Sequence, residues 1–327
     1  MSYNTQLVIT RSAVISCLLA VLLLSESCRK EGTLAESDLD ENYFVIKDNP
    51  DDPADHAIYQ FYTSTGIAAY YNDTIAKKKV GDTSGVPVYS YMTLSLSYGL
   101  FGNESIQFQR LSSKTPLPAL LDLLKNDVVT RLPEDLLIPS ILFLDSISYR
   151  PYPFFNVRLT DGTASLQGYN TVGIDVKDVE SMTAEEKKMY AASILAGIAL
   201  KTLTRLYPGE LQRDFFSISR SKVNSLGVQT DIYNVLPLIG SFPNMNFPTP
   251  ASIGFIRYNE ADMLRLPIEI YKVVPPGEPE DVRIYAAHVL YYSEQELNTK
   301  YVNDALVLKK LNLIREMLRE AGFKLPV

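Results

Sequence analysis

Two histidines, two cysteines and a scatter of carboxylates are the inventory from which any chemistry in this 327-residue chain must be drawn. A catalytic zinc needs three protein ligands and an open position. The histidines, His56 and His288, stand far apart in sequence, so a site of two imidazoles and one carboxylate requires the fold to bring them together. On a helix drawn from Glu280 to Tyr292, the residues Asp281, Ile284 or Tyr285, and His288 share a face. Taken alone, His288 reads as a hydrogen-bonded, partly buried side chain, and His56 as one that caps or covers a helix start. Neither is accompanied by a Gly-x-Ser-x-Gly elbow, so no Ser-His-Asp arrangement is assigned. The stretch Gly81-Asp-Thr-Ser-Gly85 lacks the Gly-Lys-Ser/Thr of a phosphate loop. Carboxylate pairs such as Asp122 with Asp127, or Glu185 with Glu186, read as solvated. No catalytic residue, metal ligand set or cofactor is expected.

The thiols are spoken for. Arg11 is the only basic residue ahead of an apolar run from Ala13 to Leu24, which is too short to span a bilayer and suits the hydrophobic region of a signal peptide. The run ends in Leu24-Ser-Glu-Ser-Cys28, which resembles a bacterial lipobox, with Glu26 atypical in it. Residues 1–27 are therefore expected to be an export signal and Cys28 the lipidation site, its partner the membrane lipid. Cys17 then leaves with the signal, and no thiol remains for a disulfide, a thiolate zinc site or a nucleophile. Residues 28–42 are polar and acidic, with Glu31, Glu36, Asp38, Asp40 and Glu41, and read as a flexible tether.

A net charge of -7 argues against nucleic acid, which is bound through clustered Lys and Arg. Lys77-Lys78-Lys79 is the one basic run and reads as a solvated loop. The 21 tyrosines, several of them in pairs such as Tyr70-Tyr71, Tyr89 with Tyr91 and Tyr291-Tyr292, read as sheet and surface packing. The absence of Trp disfavours a large sugar-stacking face.

Elements able to position a site follow from periodicity and punctuation. A short helix over Asp55–Thr65 leads into a strand at Gly66–Tyr71 and a Lys, Gly and Ser-rich loop to Gly85. A helix fits Leu117–Arg131 with Leu120, Leu121, Leu124 and Val128 on one face, bracketed by Pro116 and Pro133. Ser140–Ile147 reads as a central strand and Tyr169–Val176 as another. Thr183-Ala-Glu-Glu186 is a capping box that starts a helix near Ala184; the helix ends before Tyr207-Pro208-Gly209. Its segment Ile194–Leu200 is apolar all round, as in a helix covered on every side. The fold class expected is α/β (α+β): residues 43–180 form a mixed α/β part and residues 181–327 a mainly helical one.

From about Tyr43 onward the chain resembles the substrate-import-associated zinc metallohydrolase lipoproteins of Bacteroidota. The resemblance is carried by Ile58-Tyr-Gln-Phe-Tyr62 before a short strand and by the buried helix followed by Tyr207-Pro-Gly-Glu-Leu211. It continues with Pro279-Glu-Asp-Val-Arg-Ile-Tyr285, Ser293-Glu-Gln-Glu-Leu297 and a closing amphipathic helix. It implies a zincin-like fold with a mixed sheet and a buried central helix. In that family the helix carries His-Glu-x-x-His, two imidazoles one turn apart gripping zinc while the Glu activates its water. Here the window is Leu195-Ala-Gly-Ile-Ala199, and no neighbouring register supplies a ligand. Leu195, Ala196 and Ala199 thus stand at former metal-site positions. So does Ile284, where the family's acidic motif has its last carboxylate. Glu280, Asp281 and His288 are the residues expected to remain at a residual cleft.

The resemblance implies a catalytically inactive, lipid-anchored accessory or binding lipoprotein of an outer-membrane nutrient-import system, facing the periplasm or the cell surface. Its implied partners are a TonB-dependent transporter and a surface binding lipoprotein, with a peptide or glycan as ligand. Two other readings stand beside it: an active metallohydrolase or peptidase with a rearranged metal site, and a structural partner of other envelope proteins.

Overall fold

The computed structural model describes residues 42–96, 106–149, 157–159, 162–227, 231–233, 248–263 and 273–327. The expected signal segment, Cys28 and the acidic stretch to Glu41 lie outside them. Residues Tyr43–Val327 form one unit, a mixed α/β protein with a mixed sheet.

Helix α1, Pro53–Thr65, begins where the Asp52 carboxylate accepts the N–H groups of Ala54 and Asp55, and it ends on Gly66 at φ 73. Only Ala69–Tyr70 of the strand expected after it is ordered as one, β1. The stretch expected to be a loop is instead a hairpin, β2 (Thr74–Thr83) against β3 (Val86–Thr93), turned through Ser84 and Gly85 at φ 53 and 83. Every residue from Lys77 to Thr93 is exposed. With neither face buried, the strands have no apolar alternation to betray them.

Strand β4, Ile106–Arg110, runs antiparallel to β5, Ile141–Tyr149. Between them α2, Leu117–Leu123, continues as a π-helical turn, Leu124–Val128, and a 3-10 turn, Val129–Arg131. The expected apolar face holds: Leu120, Leu121, Leu124 and Val128 are all buried. Strand β5 is central, pairing in parallel with β1 and with β8 (Val172–Asp175). Both its faces are covered, Ile141 and Phe143 by the main core and Leu142, Leu144 and Ile147 by a smaller cluster with Leu94 and Leu96. That explains its unbroken apolar run. Strand β6, Val157–Leu159, belongs to a second sheet, and β7, Ser165–Gln167, closes the first sheet antiparallel to β8.

Helix α3, Ala184–Leu206, has the expected capping box, Thr183 and Glu186 each bonding the other's backbone. Its segment Ile194–Ala199 is buried throughout. Gly197 lies directly on β7: a Cβ there would fall 2.2 Å from Ser165 Oγ and 2.3 Å from the Ser165 carbonyl oxygen. Ser165 Oγ in turn donates to the Ile194 carbonyl at 2.6 Å. After a π-helical stretch, Leu211–Phe216, come α4 (Ser217–Asn224), α5 (Glu278–Tyr291), α6 (Glu294–Lys300) and α7 (Ala305–Glu320). Two short strands interrupt this helical part, β9 (Asn259–Met263) and β10 (Val273–Val274); β9 pairs with β6, so the second sheet draws on both halves of the chain. Among the described residues, no helix is long and apolar enough to cross a membrane.

Candidate functional site

A cavity of about 390 Å³ opens between α3, α5 and the end of β8. Met189, Tyr190 and Ser193 of α3 line one wall, Arg283, Ile284, Ala287 and His288 of α5 another, and Gly162, Ala164, Asp175, Lys177 and Arg257 complete it. It lies beside the N-terminal half of α3, before the window from Leu195 to Ala199. That window is closed: Leu195, Ala196 and Ala199 have no exposed surface, and Gly197 is sealed by Ser165.

The cavity's polar groups are held in place from behind. Asp175 pairs with Lys177 at 2.7 Å, and its main-chain oxygen accepts the Tyr190 hydroxyl. Burial raises the Asp175 pKa, and the Lys177 ammonium pulls it back. Its Oδ1 has no hydrogen-bond partner among the described residues. Arg283 donates to the Thr163 hydroxyl at 2.5 Å, and Ser193 Oγ donates to the Met189 carbonyl at 2.8 Å. His288 Nδ1 lies 2.9 Å from the Ile284 carbonyl, an oxygen that can only accept, so the proton sits on Nδ1 and Nε2 is the ring's acceptor. Burial, and then the Lys300 and Arg257 charges, lower the His288 pKa against the opposing effect of that hydrogen bond. The imidazole is therefore neutral near pH 7.

The three acidic-motif and histidine positions do not converge. Of Glu280, Asp281 and His288, only His288 lines the cavity, together with Ile284. Asp281 shares the helix stripe with His288 but sits two turns away, about 10 Å along the axis, where α7 covers it. There Lys310 Nζ donates to Asp281 Oδ2, and both residues are buried. The ammonium, with three N–H groups, also has Ser219 Oγ, Tyr233 Oη and the Gly254 carbonyl within hydrogen-bond distance at 3.2, 3.2 and 2.9 Å, and lies 4.2, 4.9 and 4.7 Å from the ring centres of Phe215, Phe255 and Tyr285. Glu280 is buried at the start of α5; desolvation raises its pKa, while Arg283 and the backbone N–H groups of Glu280 and Gly277 oppose the rise. His56 lies in the first turn of α1, its ring joined to Asp48 and Gln60 at 2.8 Å each, and Asp52 performs the capping expected of it.

The donor set does not suit a zinc ion. No three His, Cys, Asp or Glu side chains converge to hold a metal among the described residues, and the α3 window offers only alkyl groups. The polar residues that line the cavity, Lys177, Ser193, Arg257 and the α5 residues Arg283 and His288, are drawn from distant parts of the chain and have no common spacing to read. Comparison with known proteins returned no match to a family model, to a curated protein or to a solved structure.

Proposed function

We propose that this chain is a lipid-anchored, extracytoplasmic binding protein on a zincin-like scaffold, without hydrolytic chemistry of its own, serving an outer-membrane nutrient-import system. The observation that carries the binding reading is the cavity between α3 and α5. It is lined by hydrogen-bonding and cationic groups fixed from behind, and it lies beside a helix whose metal-ligand window holds Leu195, Ala196 and Ala199. A concave site with a few fixed polar groups and an apolar wall of Ile284, Ala287 and Met189 is what small-molecule recognition uses. Anchoring rests on the lipobox-like Leu24–Cys28, and the import system, with its transporter and surface partner, on the family resemblance. Elemental analysis and thermal melting of the full chain in detergent, with and without chelator, test the reading. The expected result is less than stoichiometric metal and an unchanged Tm; one equivalent of zinc whose removal lowers Tm would instead support a rearranged hydrolase. Fatty-acid labelling that is lost in Cys28→Ala tests the anchor.

A further inference from the structure

We propose that Lys310 and Asp281 condense within the folded protein into an intramolecular amide, Nζ bonded to Cγ, with the Tyr233 hydroxyl relaying the proton that the step moves. The ion pair between α7 and α5 is the reactant state of this modification. The inference stands apart from the α3–α5 cavity and from any ligand bound there.

The two reacting groups are held in contact by rigid elements. Asp281 lies in the first turn of α5 and Lys310 on α7; Nζ donates to Oδ2, and neither side chain has more than 1% exposure. The rings of Phe215, Tyr233, Phe255 and Tyr285 enclose the amine. Such surroundings disfavour separated charges, so transfer of one proton from Nζ to the carboxylate leaves a neutral amine beside a carboxylic acid. Burial drives both groups that way, lowering the lysine pKa and raising that of the aspartate. The amine's other neighbours then set its direction. The Gly254 carbonyl at 2.9 Å and Ser219 Oγ at 3.2 Å take its two N–H groups, which turns the lone pair toward Asp281. Tyr233 Oη stands 3.2 Å from Nζ and donates to Asp281 Oδ2 at 2.7 Å, so it touches both the atom that must lose a proton and the atom that must gain one. Asp281 Oδ1 has no hydrogen-bond partner among the described residues, a costlier state for a carboxylate oxygen than for that of a neutral amide.

The step balances without a co-reactant. Nζ adds to Cγ, its surplus proton passes through Tyr233 to the Oδ2 hydroxyl, the Cγ–Oδ2 bond breaks and one water leaves. Oδ1 stays as the amide oxygen, and nothing is oxidised or reduced. Fixed positions supply the proximity that a free amine and acid lack, and a sealed site withholds the water that would reverse the reaction. The product ties α5 to α7 across a sequence separation of 29, in a unit, Tyr43–Val327, that contains no cysteine.

Peptide mapping of the full native chain tests this. Trypsin does not cut after an acylated lysine, so residues 273–283 should appear joined to residues 310–315, at their summed mass less one water. Chain recovered unfolded from inclusion bodies should lack the joined species, as should Lys310→Met. In a pulse-chase of newly made chain, Tyr233→Phe should form it at least about tenfold more slowly. The wild-type map needs no variant to fold: native protein that yields only the separate peptides 273–283 and 311–315 overturns the amide. A joined species in the unfolded chain overturns its dependence on the fold, and equal rates in wild type and Tyr233→Phe overturn the role of the tyrosine.

Discussion

Lys310 Nζ and Asp281 Oδ2 form an ion pair with 0% and 1% side-chain exposure, walled by Phe215, Tyr233, Phe255 and Tyr285. The pair ties α7 to α5 at the point where Gly254 and Tyr233 also converge. Burial pushes the lysine down and the aspartate up in pKa, and each partner's charge opposes the other's shift. Removing one member strands a charge. Lys310→Met is expected to cost about 3–5 kcal/mol, and Lys310→Met with Asp281→Leu markedly less than the sum of the single changes. A double-mutant cycle by urea unfolding measures this, and additive losses would refute the coupling.

Gly197→Ala sets two effects against each other. Alanine gains about 1 kcal/mol of helix propensity, whereas overpacking costs about 1–3 kcal/mol. The Ser165 hydroxyl could swing aside; the Ser165 carbonyl oxygen, 2.3 Å from the new Cβ, moves only if β7 moves. The variant should therefore be destabilised, while Gly209→Ala, with nothing within 4 Å of its Cβ, should not. Equal Cm values for the two variants would place α3 further from the sheet.

His288 makes stability depend on pH in a defined direction. Its folded pKa lies below the ordinary value of about 6.5. Between the two values the unfolded chain binds the extra proton, so stability is complete above about 6.5 and is lost as pH falls toward the folded value. His288→Gln should flatten the change in urea midpoint between pH 7.5 and pH 5.5. An unaltered slope would show that the ring is solvated.

Leu195→His places a single imidazole in the buried segment of α3 without the partners a metal would need. The imidazole enters a position with no exposed surface. A cost of about 1–3 kcal/mol is expected for the unsatisfied polar group, over and above the lost packing of leucine. Zinc should leave its Tm unchanged; a rise on zinc addition would reveal ligands nearby.

Much of this architecture could be read from local pattern. Thr183 and Glu186 announced the start of α3, the run from Ile194 its burial, and the apolar stretch from Ile141 a strand covered on both faces. The hairpin escaped because its residues are exposed on both sides, so no period-two signal survives. Strand β10 is only two residues long, and β9, Asn259–Met263, has just two apolar residues among its five. Lys310 was legible in principle: it falls in the stripe of Val307, Leu311, Ile314 and Leu318, where a lysine must bury its ammonium or break the helix face. The cavity was not legible. Its two arginines and Lys177 meet only in three dimensions, and helix geometry put Asp281 and His288 on one stripe without revealing that α7 caps the first turn and a cavity the last.

The β2–β3 hairpin rises from the body on a narrow base at Thr74–Ala76, with its tip outside both hydrophobic clusters. That makes it a mast. An epitope grafted between Ser84 and Gly85, already in a left-handed turn, would leave the packing below it undisturbed. Antibody applied to intact cells would then test whether the hairpin is displayed outside the cell, as the proposed surface-facing anchor allows.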